Sequence, residues 1–108
     1  MSAEFFVCFN DLDWYSKKEN EIKETILNLP TFSTTKNNEF WLLGNEPREA
    51  KNQWVYDVRL IFISNCQILV ELNAHPKSIE QDLSSFFTWL RSLTTITVED
   101  EDGVPSNW

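Results

Sequence analysis

Residues 78–103 read SIEQDLSSFFTWLRSLTTITVEDEDG, and this stretch decides the fold. Ser78 followed by Gln81 is a capping-box pattern, in which the serine side chain takes up a free N–H of the first helical turn. Ile79, Leu83, Phe86, Phe87 and Leu90 then recur at i, i+4, i+7, i+8 and i+11, the spacing that lines one helix face with apolar side chains. Trp89 falls on the flank that also carries Asp82, and Glu80 on the opposite one. Arg91 stands in the last turn, where a cation suits the helix dipole. Thr94 to Glu99 is rich in β-branched residues and predicts a strand. Glu99-Asp100-Glu101-Asp102 and Gly103 then form a turn, and Val104 to Trp108 a tail. The helix supplies the core; the acidic run is the most unusual surface.

Working back toward the N-terminus, Ala74-His75-Pro76 breaks a strand predicted over Gln67 to Asn73. Trp54 to Ser64 alternates with period two and predicts the longest strand, turning through Ser64-Asn65-Cys66 into the next as a hairpin of open turn type. Trp54, Tyr56, Val58, Leu60 and Phe62 share one face. The other is mixed, with Asp57 and Arg59 expected near its open end. Gly44 to Gln53 has Pro47, both charge signs and no hydrophobic period, so it reads as a loop between that strand and a short one over Glu39 to Leu43. Thr31 to Asn38 reads as a polar loop. Ser16 and Glu19 give another capping box, starting a helix with Ile22, Ile26 and Leu29 inward that ends before Pro30. Glu4 to Asn10 reads as a buried strand. The order strand, helix, three strands, helix, strand predicts an α+β two-layer sandwich: a mostly antiparallel sheet of about five strands with two helices. Right-handed crossovers place both helices on one face.

The chain of 108 residues fits one domain, and 42% hydrophobic with 14% aromatic residues is a globular composition. No apolar run approaches the roughly 18 residues of a membrane span. Met1-Ser2-Ala3-Glu4 has no basic n-region, which predicts no signal peptide. Cys8 and Cys66 are too few for a disulfide framework and read as buried free thiols, so the cytoplasm is the expected compartment. Nine basic against seventeen acidic residues give a net charge of −8. Such a field repels nucleic acid and anionic lipid and steers basic partners toward the surface.

Chemistry is hard to find. His75, the one histidine, precedes a proline at a helix entrance. Neither cysteine has a base at hand, and Gly44 and Gly103 cannot build a phosphate loop. Asp100, Asp102 and Gly103 lack the alternation and the distant glutamate of a calcium loop. The expectation is a protein that is not an enzyme and holds no cofactor or metal.

A small acidic α+β domain, with Trp41-Leu42-Leu43-Gly44 before a charged loop and Phe86-Phe87-Thr88-Trp89-Leu90-Arg91 leading to Glu101-Asp102-Gly103, resembles the immunity proteins of bacterial contact-dependent growth inhibition and related polymorphic toxin systems. The resemblance lies in the overall build and the C-terminal third. It implies a cytoplasmic protein that binds one cognate toxin domain, the basic C-terminal domain of a large exoprotein, and blocks it. Many such toxins are nucleases, often ribonucleases. It carries over no catalytic residue. The expected contacts are Glu99, Asp100, Glu101 and Asp102, flanked by Asp82 and Trp89, with Trp108 at the rim and Glu46 and Glu49 in the charged loop. The rival expectation is an acidic DNA mimic or another regulator that binds protein, whose charges would be spread at phosphate-like spacing.

Overall fold

The computed structural model describes residues 3–46, 55–63, 66–106 and 108. Its elements in chain order are β1 (Ala3–Phe9), α1 (Leu12–Leu27), β2 (Phe32–Lys36), β3 (Glu39–Leu42), β4 (Val58–Ile63), β5 (Gln67–Leu72), α2 (Lys77–Leu93) and β6 (Ile96–Asp100). The strands form one sheet in the order β2-β3-β4-β5-β1-β6, with every neighbouring pair antiparallel. The α+β class and the two helices are as the sequence predicts, and the sheet has six strands rather than about five.

The extra strand is β2, in the segment expected to be a polar loop. It lies at the sheet edge, bonded on one side only, so its residues after Phe32 stay exposed and need no apolar alternation. Threonine suits a strand for the shape of its branched side chain, whatever its polarity. Asn37, at φ 53°, makes the left-handed bend into β3, a conformation asparagine tolerates better than most residues.

Both helices bury their stripes against the same side of the sheet. Ile22 and Ile26 of α1 and Ile79, Leu83, Phe86, Phe87 and Leu90 of α2 form one core with Val7, Leu42, Val58, Leu60, Ile68, Val70 and Val98. Helix α1 begins earlier than the Ser16–Glu19 pattern suggests. Its N-cap is Asp11, whose side chain accepts from the Trp14 N–H at 3.0 Å. The earlier start stacks Trp14 on Phe9 and sets Tyr15 tilted against it, with ring centroids at 6.3 and 4.7 Å. The second capping box fails too. Ser78 lies inside α2, and its N–H and hydroxyl both donate to Glu46 from the loop after β3, at 2.9 and 2.5 Å. A carboxylate distant in sequence does the work the Ser78–Gln81 pattern assigns locally.

The hairpin of β4 and β5 is present, with β4 starting at Val58; Trp54 and Ser64 lie outside the described residues. Asp57 is not on an open face beside Arg59. It is 0% exposed at the entrance to β4, and its carboxylate accepts from the Gly44 N–H at 2.8 Å. Cys66 takes φ 57° in the turn, and both cysteines are free and half-buried rather than fully buried. At the far edge, the chain after Gly103 folds back on β6. Asp100 N–H donates to the Val104 carbonyl, Ser106 N–H donates to the Val98 carbonyl, and Glu99 bridges to Pro105.

The position of the first cap is testable by urea unfolding. Asp11→Ala is expected to cost about 1 kcal/mol, whereas Ser16→Ala, an exposed mid-helix change, stays within about 0.5 kcal/mol. Equal losses from the two variants would refute the assigned helix start.

Candidate functional site

The helices cover one face of the sheet, and no described element covers the other. Strand register fixes what that open face carries, because side chains paired directly across neighbouring strands share a side. One row runs Glu99, Phe6, Leu69, Ile61, Glu39 across β6, β1, β5, β4 and β3. The next row runs Glu4, Glu71, Arg59, Trp41, Thr34. On the other side of the first lie Thr97, Cys8, Gln67 and Ile63. Phe6, Leu69 and Ile61 are half-buried by their neighbours and stand apart from the core on the helix side. The centre of the face is thus an apolar row with a carboxylate at each end.

The second row holds a charge network. Arg59 donates through Nη2 to Glu71 at 2.7 Å and through Nη1 to Glu39 at 3.1 Å. Tyr56 donates its hydroxyl to the other oxygen of Glu71 at 2.9 Å, and Trp41 Nε1 donates to Glu39 at 3.0 Å. The Tyr56 and Trp41 rings meet at 5.0 Å, with the Arg59 guanidinium 5.2 Å from the Tyr56 centroid and the Lys36 ammonium 5.0 Å from that of Trp41. These contacts hold long side chains flat and rigid. The hydrogen bond from Arg59 keeps the Glu71 carboxyl below the usual glutamate range, and the same bond raises Arg59. Burial, then the bond to Glu71, pushes the Tyr56 phenol up.

The acidic run does not act as one patch. Glu99 projects onto the open face beside Phe6. Asp100 faces the other way and is spent on its own turn, accepting from the N–H groups of Asp102 and Val104 at 2.9 and 3.0 Å. Glu101 accepts from the Glu4 N–H at 3.3 Å, which ties the run to the start of β1. Asp102 is exposed. The structure therefore gathers Glu4, Glu99 and Glu101 at one corner of the sheet, and sequence reading did not include Glu4. Its only trace there is a charged residue at the polar end of an otherwise apolar strand.

The remaining expected contacts lie elsewhere. Asp82 is 8% exposed and points into the fold, accepting from the N–H and hydroxyl of Thr31 at 2.9 and 2.6 Å. That bond joins α2 to the end of α1 and removes Asp82 from any surface patch. Trp89 is on the helix side, stacked on Phe86 at 6.4 Å. Trp108 folds back with its ring edge-on to Phe5 and Phe87 at 6.3 and 6.2 Å, and its main-chain oxygen accepts from Arg91. With Lys77, Ser84 and Arg91 it lines a shallow groove on α2. Glu46 caps α2, and the two bonds from Ser78 hold its carboxyl below the usual range. Glu49 lies outside the described residues. Asp82, Trp89, Trp108 and Glu46 do not join the sheet corner.

Among the described residues there is no group of three or more His, Cys, Asp or Glu arranged to hold a metal, and no helix is long and apolar enough to cross a membrane. Compared with protein-family models, curated proteins and solved structures, the chain matches none. The open face with its acidic corner is the candidate site. What this arrangement can do chemically is bind: the carboxylates attract cations from a distance, and the apolar row loses water on contact.

Glu71 gives a pH signature. A carboxylate whose folded pKa is depressed contributes stability above its unfolded pKa, near 4.3, and loses it as pH falls further. Stability is therefore expected to drop below about pH 4.5, and Glu71→Gln, which costs about 1–2 kcal/mol at pH 7, should make that drop shallower. Parallel stability curves for wild type and variant from pH 7 to 3 would remove Glu71 from this role.

Proposed function

We propose that this chain is an immunity protein that binds a cognate toxin domain in the cytoplasm and blocks its active site. The partner is a basic nuclease, in first place a ribonuclease, carried as the C-terminal domain of a large exoprotein. The observation that carries the reading is the acidic corner of Glu4, Glu99 and Glu101 at the end of a sheet face that no described element covers. A nuclease must present cations where its substrate's phosphates lie, so a dense carboxylate surface can occupy that place and be drawn to it quickly. The net charge of −8 gives the long-range attraction the same sign. The likeness of the C-terminal third to immunity proteins points the same way. A nucleic-acid mimic would want carboxylates at regular spacing along a long face, and here an apolar row separates them.

The decisive test pairs the chain with the exoprotein domain encoded next to it. Co-expression is expected to restore growth to cells making that domain, through a one-to-one complex. Glu99→Lys with Glu101→Lys is expected to slow association about tenfold or more at low salt, with the difference shrinking as salt screens it. A wild-type chain that leaves the poisoned cells dying would end the immunity reading. Asp100 is a poor residue for this test, since reversing it breaks the turn.

A further inference from the structure

We propose that the open face of the sheet is the docking surface for a folded basic protein whose contact patch has an apolar centre ringed by lysine or arginine. The proposal deepens the reading above by naming the surface, and rests on it only for the nuclease class of the partner. Three observations carry it. The first is position: Phe6, Leu69 and Ile61 lie in register across β1, β5 and β4, and no described element packs on them. The second is size. Six strands at about 4.8 Å and some five residues at about 3.3 Å give a face of roughly 24 by 16 Å. That matches the central, water-excluding part of an interface that buries about 800 Å² per partner.

The third is charge, which selects the occupant. The face carries Glu4, Glu39, Glu71 and Glu99 against Lys36 and Arg59. Arg59 is held between Glu39 and Glu71, and Lys36 rests on Trp41. Glu4 and Glu99 have no cation among the described residues, and Glu101 adds a third carboxylate at the same corner. Among the described residues, a second copy of this chain brings no surplus cation on its own face. A basic partner does. Its apolar centre would cover Leu69 and its rim cations would meet the corner, so the row governs how long the complex lasts and the corner how fast it forms.

The probes are the exoprotein domain encoded next to this chain, catalytically inactivated, and, as a basic protein that is not a nuclease, cytochrome c. Binding kinetics are measured for wild type, Leu69→Arg, the milder Leu69→Thr, and Glu4→Lys with Glu99→Lys. Amide exchange checks that each variant keeps the sheet. Leu69→Arg is expected to weaken binding about a hundredfold, mostly in dissociation. Leu69→Thr should do so about tenfold, and the charge variant should slow association about tenfold at low salt. Glu24→Lys with Glu80→Lys, an equal charge change at exposed positions on the helices, should alter association less than about threefold. A toxin domain bound equally by wild type and both Leu69 variants overturns the surface and leaves the immunity reading standing. Cytochrome c bound through Leu69, with the neighbouring exoprotein domain ignored, supports the surface and sinks the immunity reading. A dimer that Leu69→Arg converts to monomer makes the occupant a second copy and overturns the proposal, as does the absence of binding to any probe.

Discussion

The buried carboxylate of Asp57 is the constraint on which the sheet depends. A charge taken out of water must be matched by donors, and this one accepts from the Gly44 N–H while its main chain bonds Leu42 on one side and Asn73 and Ala74 on the other. Three strand ends are thereby fixed to one residue. Gly44 is required by the same closeness: a Cβ there would come within 2.7 Å of Pro76 and 3.0 Å of the Asp57 carboxylate. With β4 pinned at its entrance, its register against β3 and β5 is settled. A slip of one residue would exchange Arg59 and Ile61 with Val58 and Leu60, putting charge in the core and the core in water.

The register then sorts the surface. Inward positions meet two helices and become one core; outward positions meet no described partner. The two sides consume charge differently. On the helix side, Asp82, Glu46 and Asp100 are spent on Thr31, Ser78 and a turn, and their role is architectural. On the open side, Glu39 and Glu71 immobilise an arginine beside two aromatic rings, while Glu4 and Glu99 are left without a cation among the described residues. Strand alternation thus separates Glu99, on the open face, from Asp100, which is spent on the turn that follows.

The sequence reads well where one strong period dominates. The stripe from Ile79 to Leu90 and the alternation over Val58–Ile63 and Gln67–Leu72 are present as read, since many side chains vote for them together. It reads poorly where a single distant contact decides. Nothing local says that Glu46 reaches Ser78 or that the threonine-rich stretch after Phe32 is an edge strand; at α1 two local caps compete, and the bond from Trp14 to Asp11 prevails over the Ser16–Glu19 pattern. Asp57 breaks the alternation that places it with Arg59, because it precedes the strand and turns inward. For the candidate site, the run at Glu99 was legible and Glu4 was not. Their meeting depends on β6 pairing with β1 across almost the whole length of the chain. Asp82 failed for the converse reason: a helical wheel gives its flank but not the Thr31 waiting there.

The folded-back segment after Gly103 has a further consequence. It occupies the outward hydrogen-bonding groups of Val98 and Asp100, so the C-terminal half of the β6 edge is closed to another strand. The β2 edge at the opposite end has no such cover among the described residues. In the language of polymer chemistry, the folded-back segment is a partial end-cap: it takes up the groups an added strand would need along half of one edge, and the β2 edge has no such cap among the described residues. A cap of this kind works against edge-to-edge pairing at that margin, through a handful of residues.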